Sequence, residues 1–464
     1  MEILNIDYFK SMDIDYSKIV NHTSDVVEGS ILCIDHDNKN KLNEYISSSL
    51  NKNLKFVLTS NRCDIKDEKV LRFDCYQSVF SHILEGISPN YRNLDYFGIT
   101  GTNGKTTTAF YLNQLIGSDN LFIGTIDDKN KYSFTHDKIL TTPKLFNVVK
   151  LISLQKENVR SVSLEVSSHA LDQQRLGDLK FLVSGFTNLS QDHLDYHGSI
   201  EKYLHSKAKL FQKGVSEKFV YIESSESVEI VNASNIESFS IGKNDYNDVR
   251  YKEIDRERLR FTIDGNEVEC RLNLTGPKFV ENFLLAFSMA YYSNLFDLDK
   301  LIQRSKYIVN PPGRFETLNS NNKTVIIDYA HTPSAIKEAI KYAQNKYEKV
   351  NVVLGAGGGR DKGKRIKMGE ASSTADYVII TNDNPRNEDP LEISKNILEG
   401  VSLNKRSDVI LDRKEAIHKG VQSLKDNEVL LVLGKGHEKF QEIDNKFIPF
   451  DDVQISKEIM ELEN

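Results

Sequence analysis

Several features that mark whole classes of proteins are scarce in this sequence. Tryptophan is absent, there are only nine prolines, and no apolar run approaches the roughly 20 residues of a membrane-spanning helix. The four cysteines, Cys33, Cys63, Cys75 and Cys270, show no C-x-x-C spacing, so we expect them to be reduced and structural. The first residues, Met1–Asp7, are acidic and do not resemble a signal peptide, which predicts a cytoplasmic protein with no membrane partner.

Positive charge is also in short supply. The chain has 60 lysines and arginines against 67 aspartates and glutamates, a net charge of −7, which argues against nucleic acid as a partner. A hydrophobic content of 39% with 27% charged residues is that of an ordinary globular protein. Because 464 residues exceed what one core accommodates, we expect about two to four domains.

The pattern of apolar runs and loops predicts three α/β domains, 1–93, 94–308 and 309–464. The first contains short apolar runs at Ser30–Ile34 and Leu54–Leu58, and Pro311–Gly313 marks the last boundary. Alternating strands and helices in the second and third domains indicate parallel sheets covered on both faces. The strands predicted there are Tyr96–Thr100, Val159–Val166, Lys180–Leu189, Thr324–Asp328, Val350–Gly355, Ala375–Thr381 and Glu428–Leu433.

A glycine-rich loop lies between the predicted strand Tyr96–Thr100 and a predicted helix, Thr106–Ile116. Ile99 stands where the common G-x-x-x-x-G-K-[ST] pattern has its first glycine, so the loop is the shorter Gly101–Thr106. Glycines let backbone N–H groups approach phosphate oxygens, and the lysine and threonine can reach phosphate and Mg²⁺. An ordinary turn before a helix is the alternative, and ATP binding is the interpretation that we favour.

Polar residues also follow two of the predicted strands. Glu165 ends one strand, where a carboxylate can hold Mg²⁺ against phosphates, and His193 follows the next in Asn188-Leu-Ser-Gln-Asp-His193. Lys207 lies fourteen residues beyond His193. Taken alone, His193 and Lys207 are also compatible with surface or capping positions.

Together, these motifs resemble the Mur ligase family. The resemblance rests on Gly101–Thr106, Glu165–His169, Asn188–His193 with Lys207, Pro312-Gly-Arg-Phe-Glu316 and Asp328-Tyr-Ala-His-Thr-Pro333. Gly355–Arg365, Asp383-Asn-Pro-Arg386 and Gly434-Lys-Gly-His-Glu438 resemble the members that add the third peptide residue to a cell-wall precursor. The family joins a carboxylate to an amine through an acyl phosphate made from ATP. The resemblance implies a small N-terminal α/β domain, a central P-loop ATPase domain with a parallel sheet and a C-terminal Rossmann-like domain.

The resemblance also implies roles for individual residues toward ATP and Mg²⁺. Lys105, Glu165, His193 and Lys207 are the implied catalytic residues, and Lys207 matches the lysine that the family carbamylates. Carbamylation replaces an ammonium, which Mg²⁺ repels, by a carboxylate-like ligand. The implied metal ligands are Thr106, Glu165, His193 and carbamylated Lys207. The implied ATP-binding residues are Gly101, Thr102, Asn103, Gly104, Lys105, Thr106, Thr107, Asn282, Arg314 and Asp328.

Two further substrates are implied, UDP-N-acetylmuramoyl-dipeptide and meso-diaminopimelate. Arg386 is the discriminating residue, because a planar guanidinium can hold the distal carboxylate that lysine lacks. The residues that match contacts to diaminopimelate are Arg360, Asp383, Asn384, Pro385, Arg386, Gly434 and Glu438. The residues that match contacts to the dipeptide are Thr141, Thr142, Ser167, Gln173 and Arg175, with Thr23 the one candidate for the uridine pocket.

Residues 1–93 depart most from the family pattern, and Phe279 replaces a family asparagine near the adenine, while Asn282 is in place. None of these departures removes a phosphate, metal or amino-acid ligand. Three alternatives stay open: a related ligase that uses another amino acid such as L-lysine, a non-catalytic nucleotide-binding relative, and a simple P-loop NTPase or kinase. We expect a monomer.

Overall fold

The computed structural model describes residues 3–126, 140–155, 159–252, 258–320 and 322–462. The strands in these ranges are β1 (Ile19–Val20), β2 (Ile31–Cys33), β3 (Phe56–Ser60), β4 (Val70–Phe73), β5 (Asp95–Thr100), β6 (Asn120–Ile123), β7 (Ser161–Glu165), β8 (Phe181–Phe186), β9 (Ser216–Ile222), β10 (Glu237–Gly242), β11 (Val249–Lys252), β12 (Arg258–Ile263), β13 (Asn266–Arg271), β14 (Glu316–Ser320), β15 (Lys323–Asp328), β16 (Lys349–Leu354), β17 (Tyr377–Ile380), β18 (Arg406–Val409), β19 (Glu428–Leu433), β20 (Phe440–Ile443) and β21 (Lys446–Pro449). The helices are α1 (Ile6–Ser11), α2 (Lys39–Leu50), α3 (Tyr76–Ile87), α4 (Lys105–Ile116), α5 (Leu145–Ser153), α6 (Ser168–Asp172), α7 (Leu194–His197), α8 (Ile200–Ala208), α9 (Ser225–Ala233), α10 (Phe279–Tyr292), α11 (Leu298–Ser305), α12 (Pro333–Gln344), α13 (Gly363–Ser372), α14 (Pro390–Leu398), α15 (Arg413–Gln422) and α16 (Asp452–Leu462).

The N-terminal sheet has four parallel strands in the order β1-β2-β3-β4. Successive side chains of a strand point to opposite faces, and here both faces are covered. On one face Leu42 and Ile46 of α2 pack with Leu32, and on the other Val79 of α3 packs with Leu58. Burial on both faces explains why these short strands are almost wholly apolar.

The central sheet has nine strands in the order β13-β12-β11-β10-β9-β8-β5-β7-β6. The strands from β6 to β11 run parallel, and β12 and β13 form an antiparallel hairpin at the edge. Asp264 and Gly265 join the hairpin with φ of 48° and 77°, the positive values that a two-residue turn of this kind needs. Because β5 lies between β8 and β7, the loop after β5 emerges beside the ends of both neighbours.

Helices cover both faces of the central sheet. Leu112 of α4 and Phe287 of α10 belong to one buried cluster with Ile99 of β5. Val148 of α5 packs on the opposite face with Leu164 of β7. These contacts fix the start of α4, and therefore the glycine-rich loop before it, against the carboxyl ends of β7 and β8.

The C-terminal sheet has the order β14-β15-β19-β16-β17-β18, in which β14 alone is antiparallel. Its parallel strands end next to Asp328, Gly355, Asp383 and Gly434, so four sequence motifs emerge at one edge. The prediction of parallel α/β sheets is confirmed. Three strands, β7, β8 and β17, are shorter than the segments predicted for them, and at the end of β8 the polar residues from Thr187 onward belong to the following loop.

A buried ion pair ties α16 to this sheet. Arg413 Nη2 lies 2.7 Å from Asp452 Oδ2, and neither side chain is exposed. Arg413 also donates to the carbonyl oxygens of Asn382 at 3.3 Å and Leu433 at 3.0 Å. Both carbonyls precede the loops that carry Asp383 and Gly434, so the pair supports these loops from below. In the described ranges no helix has the length and apolar character needed to cross a lipid bilayer.

Candidate active site

The glycine-rich loop is shaped by two glycines that have no space for a side chain. Gly101 has a φ of 148° and Gly104 a φ of 86°. A Cβ on Gly101 would lie 1.8 Å from Thr187 Oγ1, and one on Gly104 would lie 2.5 Å from Asn282 Oδ1. Lys105 Nζ folds back over the loop and donates to the carbonyl oxygens of Gly101 at 3.0 Å and Thr102 at 2.8 Å.

Thr106 and Glu165 join the loop to the end of β7. The Thr106 hydroxyl donates to Glu165 Oε2 at 2.9 Å, and both side chains are buried. The Thr125 N–H donates to the other carboxylate oxygen at 2.8 Å. A carboxylate and a hydroxyl are hard oxygen ligands, the type that Mg²⁺ binds beside nucleotide phosphates. The donor set at this point therefore fits the predicted cation.

Lys207 reaches the same loop from α8. Its Nζ donates to Gly101 O at 2.7 Å and lies 4.2 Å from the centre of the Tyr203 ring. Burial and the nearby charge of Lys105 hold the pKa of the Lys207 amine well below its ordinary value. Burial also lowers the pKa of Lys105. Because both amines converge on one carbonyl oxygen, the arrangement favours a neutral Lys207.

His193 stands at the start of α7 with a φ of 53°. Its Nε2 lies 3.4 Å from Asp192 Oδ2, and burial lowers the pKa of the imidazole. Asp192 is buried and also faces His331 Nε2 at 3.7 Å and Lys364 Nζ at 3.2 Å. The sequence analysis named His193 as a candidate residue, but it gave no role to its partner Asp192.

Two predicted ATP residues come from beyond the last domain boundary. Arg314 Nη2 donates to Thr106 Oγ1 at 3.1 Å, and its guanidinium lies 4.3 Å from the Tyr329 ring centre. Asp328 accepts from the N–H groups of Phe315 and Ala330, each at 2.8 Å. Burial raises the pKa of Asp328. Arg314 thus places its positive charge beside the glycine-rich loop. Asp328 stabilises the turn that contains the next residue, Phe315.

These elements enclose a cleft of about 460 Å³. Tyr329, which lines it, packs at 5.0 Å from the His437 ring, so the loop after β19 supports one wall. Gly101 and Lys207 lie behind the lining residues. The predicted residues that line the cleft are Thr102, Asn103, Gly104, Lys105, Thr106, Thr107, Thr141, Glu165, His193, Asn282, Arg314, Asp328 and Arg360.

The residues predicted for the dipeptide form a hydrogen-bonded cluster beside Glu165. Thr142 Oγ1 donates to Glu165 O at 2.8 Å and lies 3.1 Å from Ser167 Oγ. Arg175 donates through Nη1 to Thr142 O at 3.1 Å and through Nε to Gln173 Oε1 at 2.9 Å. Thr141 lies 3.3 Å from Thr125 Oγ1, which itself donates to Glu165.

Thr23 lies outside this cluster. It begins a short 3₁₀ helix, Thr23–Asp25, and its carbonyl oxygen accepts from Lys52 Nζ at 2.8 Å. It is not among the residues that line the cleft. Its role toward uridine stays a prediction.

The residues predicted for diaminopimelate form a second cluster, between the ends of β17 and β19. Asn384 Nδ2 donates to Glu438 Oε2 at 2.8 Å, and the buried Lys435 donates to the same oxygen at 2.9 Å. Gly434 has a φ of 112°, and a Cβ there would lie 2.6 Å from Asp383 Oδ2. Pro385 is buried, Arg386 follows it with a φ of 55°, and Arg360 is exposed at the cleft.

Two profile matches cover most of the chain. Residues 99–290 match the Mur ligase middle domain, and residues 313–436 match the Mur ligase, glutamate ligase domain. The chain belongs to the Mur ligase family. The first match begins in β5 and the second ends in the loop after β19, so together they include the dipeptide cluster and all of the diaminopimelate cluster except Glu438.

Named relatives of this Mur ligase are similar over most of their length. UDP-N-acetylmuramoyl-L-alanyl-D-glutamate–2,6-diaminopimelate ligase of Aquifex aeolicus is 39% identical over 380 residues, 79% of this chain and 77% of the relative. The enzyme of the same name from Rickettsia bellii is 34% identical over 433 residues, 89% and 90% of the two chains.

Solved structures agree in fold. A UDP-N-acetylmuramoyl-L-alanyl-D-glutamate–2,6-diaminopimelate ligase superposes with a TM-score of 0.62 at 25% identity, covering 100% of this chain and 99% of the other. MurF ligase from Thermotoga maritima in complex with ADP has a TM-score of 0.67 at 15% identity, covering 97% and 99%. The second likeness shows the shared fold alone.

The residues of this Mur ligase fit a nucleotide and a cation together. Arg314 Nε is buried and has no hydrogen-bond partner in the described part of the chain, which suits an anionic ligand in the cleft. Within the described ranges no three His, Cys, Asp or Glu side chains converge as a metal site. Phosphate oxygens would therefore complete the ligand set around Thr106 and Glu165, as is common for Mg²⁺.

Some residues that shape the cleft received no role in the sequence analysis, among them Thr125, Asn188 and Lys364. Thr125 binds both oxygens of Glu165, Asn188 Oδ1 accepts from the Asn103 N–H at 3.1 Å, and Lys364 pairs with Asp192. Asn188 and Lys364 stand in motifs already recognised, at positions that received no role. Thr125 had no local signal, because its contact depends on how β6 lies beside β7.

Proposed function

We propose that this chain is an ATP-dependent ligase that adds meso-diaminopimelate to UDP-N-acetylmuramoyl-L-alanyl-D-glutamate during peptidoglycan precursor synthesis. The glutamate carboxylate takes the γ-phosphoryl group of ATP and releases ADP. The amine of diaminopimelate then attacks the acyl carbon, the C–O bond to phosphate breaks, and inorganic phosphate leaves. One proton leaves the amine as the C–N bond forms. The names of the relatives in Aquifex aeolicus and Rickettsia bellii support this choice of substrates.

One observation carries the proposal: the glycine-rich loop, the dipeptide cluster and Arg314 all meet at Thr106 and Glu165. Thr106 hydrogen-bonds Glu165 at 2.9 Å and Arg314 at 3.1 Å. Glu165 O accepts from Thr142 at 2.8 Å, which begins the dipeptide cluster. A phosphoryl group and an accepting carboxylate held at this junction would be neighbours, as phosphoryl transfer requires.

The chain's own residues provide the charge that this junction needs. Two anions must approach each other, and Lys105 and Arg314, which both line the cleft, supply positive charge there. Mg²⁺, held by Thr106 and Glu165, would supply further positive charge toward the phosphates when bound. His193, neutral because its pKa is lowered, is available as a nitrogen ligand or hydrogen-bond donor.

We assign the binding tasks to the three segments in chain order. Residues 1–93 bind the UDP end of the precursor, residues 94–308 bind ATP, and residues 309–464 bind the amino acid. In the last segment Arg386 receives the distal carboxylate of diaminopimelate, and Glu438 accepts from the ammonium at that end. We also propose that the protein is a monomer and that it acts in the cytoplasm, where ATP is available.

A product assay tests the proposal. Purified protein is incubated with UDP-N-acetylmuramoyl-L-alanyl-D-glutamate, ATP and Mg²⁺, with meso-diaminopimelate, with L-lysine or with neither, and the products are identified by mass. We expect the tripeptide product and stoichiometric phosphate release only in the reaction that contains meso-diaminopimelate. A lysine product would assign a related ligase, and absence of any product would contradict the proposal.

Matched lysine variants sharpen this assay. Lys105→Met removes the charge at the glycine-rich loop and should abolish product formation. Lys395→Met removes a lysine on the exposed surface of α14, where it pairs with Glu392 at 2.6 Å. That variant should keep wild-type activity. Equal activity of the two variants would contradict the assignment of the cleft.

A further inference from the structure

The loop that carries Arg386 is fastened to β20 by its backbone. Arg386 N donates to Glu442 O at 3.0 Å, and Asp444 N donates to Arg386 O at 2.9 Å. Gln441 Nε2 donates to Asp383 O at 2.8 Å at the start of the loop. Arg386 therefore sits at one fixed register position beside β20, although 56 residues separate it from Glu442.

Glu442 also fixes the side chain of Arg386. Arg386 Nε donates to Glu442 Oε2 at 2.8 Å, and Nη1 donates to Gly358 O at 2.7 Å. Within the described residues the guanidinium makes no other hydrogen bond, and 25% of the Arg386 side chain is exposed, whereas Glu442 is buried. A guanidinium has five N–H groups in one plane. Two are used, and the remaining three lie on the Nη1 and Nη2 side.

The consequence is a preset orientation of the exposed edge. Resonance already keeps the guanidinium planar, and hydrogen bonds at both Nε and Nη1 also prevent it from turning about the Cδ–Nε bond. Its Nη edge therefore keeps one direction. A carboxylate binds that edge best through two parallel hydrogen bonds, which require this alignment. Without Glu442, the partly exposed Arg386 would have to be ordered by the substrate itself, and ordering a long side chain weakens binding.

We propose that Glu442 is a positioning residue that orients Arg386 for the distal carboxylate of the amino-acid substrate. Glu442 acts through Arg386 and does not itself touch the substrate. The inference rests on the proposed function and deepens it, because it names the residue on which selectivity for a second carboxylate depends.

Kinetics of two variants at one position provide the test. Glu442→Ala should raise KM for meso-diaminopimelate about tenfold, because the substrate must then order the Arg386 side chain itself. Its kcat and its KM for ATP should stay within about threefold of wild type, because neither depends on the Nη edge. Glu442→Gln keeps an oxygen that accepts from Arg386 Nε and should restore KM to near the wild-type value.

A double variant separates positioning from general support of the fold. If Glu442 acts only through Arg386, adding Glu442→Ala to Arg386→Ala should change KM for diaminopimelate no further. Glu392→Ala is the matched control, because Glu392 is an exposed glutamate on α14, in the same C-terminal part of the chain. It should leave every KM unchanged. KM does not depend on the folded fraction, and Glu442→Asp replaces Glu442→Ala if the alanine variant does not fold.

Two results would overturn the inference. One is an unchanged KM for diaminopimelate in Glu442→Ala, and the other is an equal rise in KM for all three substrates. Failure of the proposed function is distinguishable, because the wild-type protein would then form no diaminopimelate product at all.

Discussion

Lys364 Nζ lies 3.2 Å from Asp192 Oδ1, although the two residues are 172 positions apart. Asp192 follows β8 of the central sheet, and Lys364 belongs to α13 beside the C-terminal sheet. The side chains are 10% and 5% exposed for Lys364 and Asp192, so the pair is shielded from water and salt. It joins the loop after β8 of the central sheet to a helix that packs on the C-terminal sheet.

Replacing Asp192 by asparagine should destabilise the protein at neutral pH. Burial alone would raise the pKa of Asp192, but the hydrogen bond with His331 and the charge of Lys364 outweigh it and hold the pKa well below its usual range. Breaking a buried pair by removing one partner costs about 3 kcal/mol or more. Urea unfolding at neutral pH should show this loss for Asp192→Asn, and Asp195→Asn, an exposed neighbour, should show little change.

The same substitution should alter the acid response. A carboxylate with a lowered folded-state pKa contributes its full stability above the unfolded pKa of about 3.9 and loses it as the pH falls toward the folded value. Wild type should therefore lose more free energy of unfolding than Asp192→Asn as the pH falls through about 4. Equal slopes in the two proteins would show that Asp192 is not the group involved.

Lys207 should be carbamylated in the active protein. A neutral amine attacks CO₂, and burial, which holds the pKa of Lys207 well below its ordinary value, increases the neutral fraction of this amine. We expect ¹³C-bicarbonate to give a carbamate NMR signal that is lost in Lys207→Met, and activity to fall at least about 100-fold. Lys209→Met, at a partly exposed lysine two positions away, should keep both. An unmodified amine in active protein contradicts the prediction.

Arg386→Ala should remove most activity with diaminopimelate and leave ATP binding intact. The substitution removes the planar group that we assign to the distal carboxylate, and KM should rise about 100-fold or more. Phosphate release measures the activity, and calorimetric titration with a non-hydrolysable ATP analogue measures nucleotide binding. Arg406→Ala, where the guanidinium stacks 4.0 Å from the Tyr377 ring, is the control. Unchanged kinetics for diaminopimelate would refute the assignment of Arg386.

Gly101→Ala and Gly198→Ala separate steric conflict from backbone strain. Both glycines have positive φ, 148° and 78°. A Cβ on Gly101 would lie 1.8 Å from Thr187 Oγ1, whereas one on Gly198 meets nothing within 4 Å. Gly198→Ala should therefore cost only about 1 kcal/mol of stability.

Gly101→Ala should in addition displace the glycine-rich loop and weaken binding of the ATP analogue at least about tenfold. The two variants should differ in this affinity even at temperatures where both are folded. Equal affinities would mean that the loop adapts to the extra methyl group.

The sequence was most informative where chemistry and local structure coincide. Gly101, Gly104 and Lys105 are recognisable because a loop of fixed length must close on a phosphate, and the structure places them at the end of β5 as predicted. The segments that form β5, β7, β16 and β19 were likewise predicted as strands, and nearly every residue in each of them is buried.

The missed parts depend on partners that are distant in sequence. The strands from β9 to β13 were not predicted, although β12 alternates buried and exposed residues, a pattern typical of a strand with one face exposed. In the sequence, Asp192, Lys364 and Glu442 are ordinary charged residues until the fold pairs Asp192 with Lys364 and Glu442 with Arg386. No local pattern distinguishes them from solvated surface charges.

The Arg413–Asp452 pair makes the loops at the end of the C-terminal sheet depend on the last helix, α16. An interrupted translation product, or a chain cut by a protease before α16, would lack Asp452 and leave the Arg413 guanidinium buried without its counterion. Such a cost is several kcal/mol, comparable with the whole stability of a domain. Because Arg413 also holds the carbonyls before Asp383 and Gly434, the truncated enzyme would lose its amino-acid loops first. An incomplete chain would then be unable to select the amino acid it attaches.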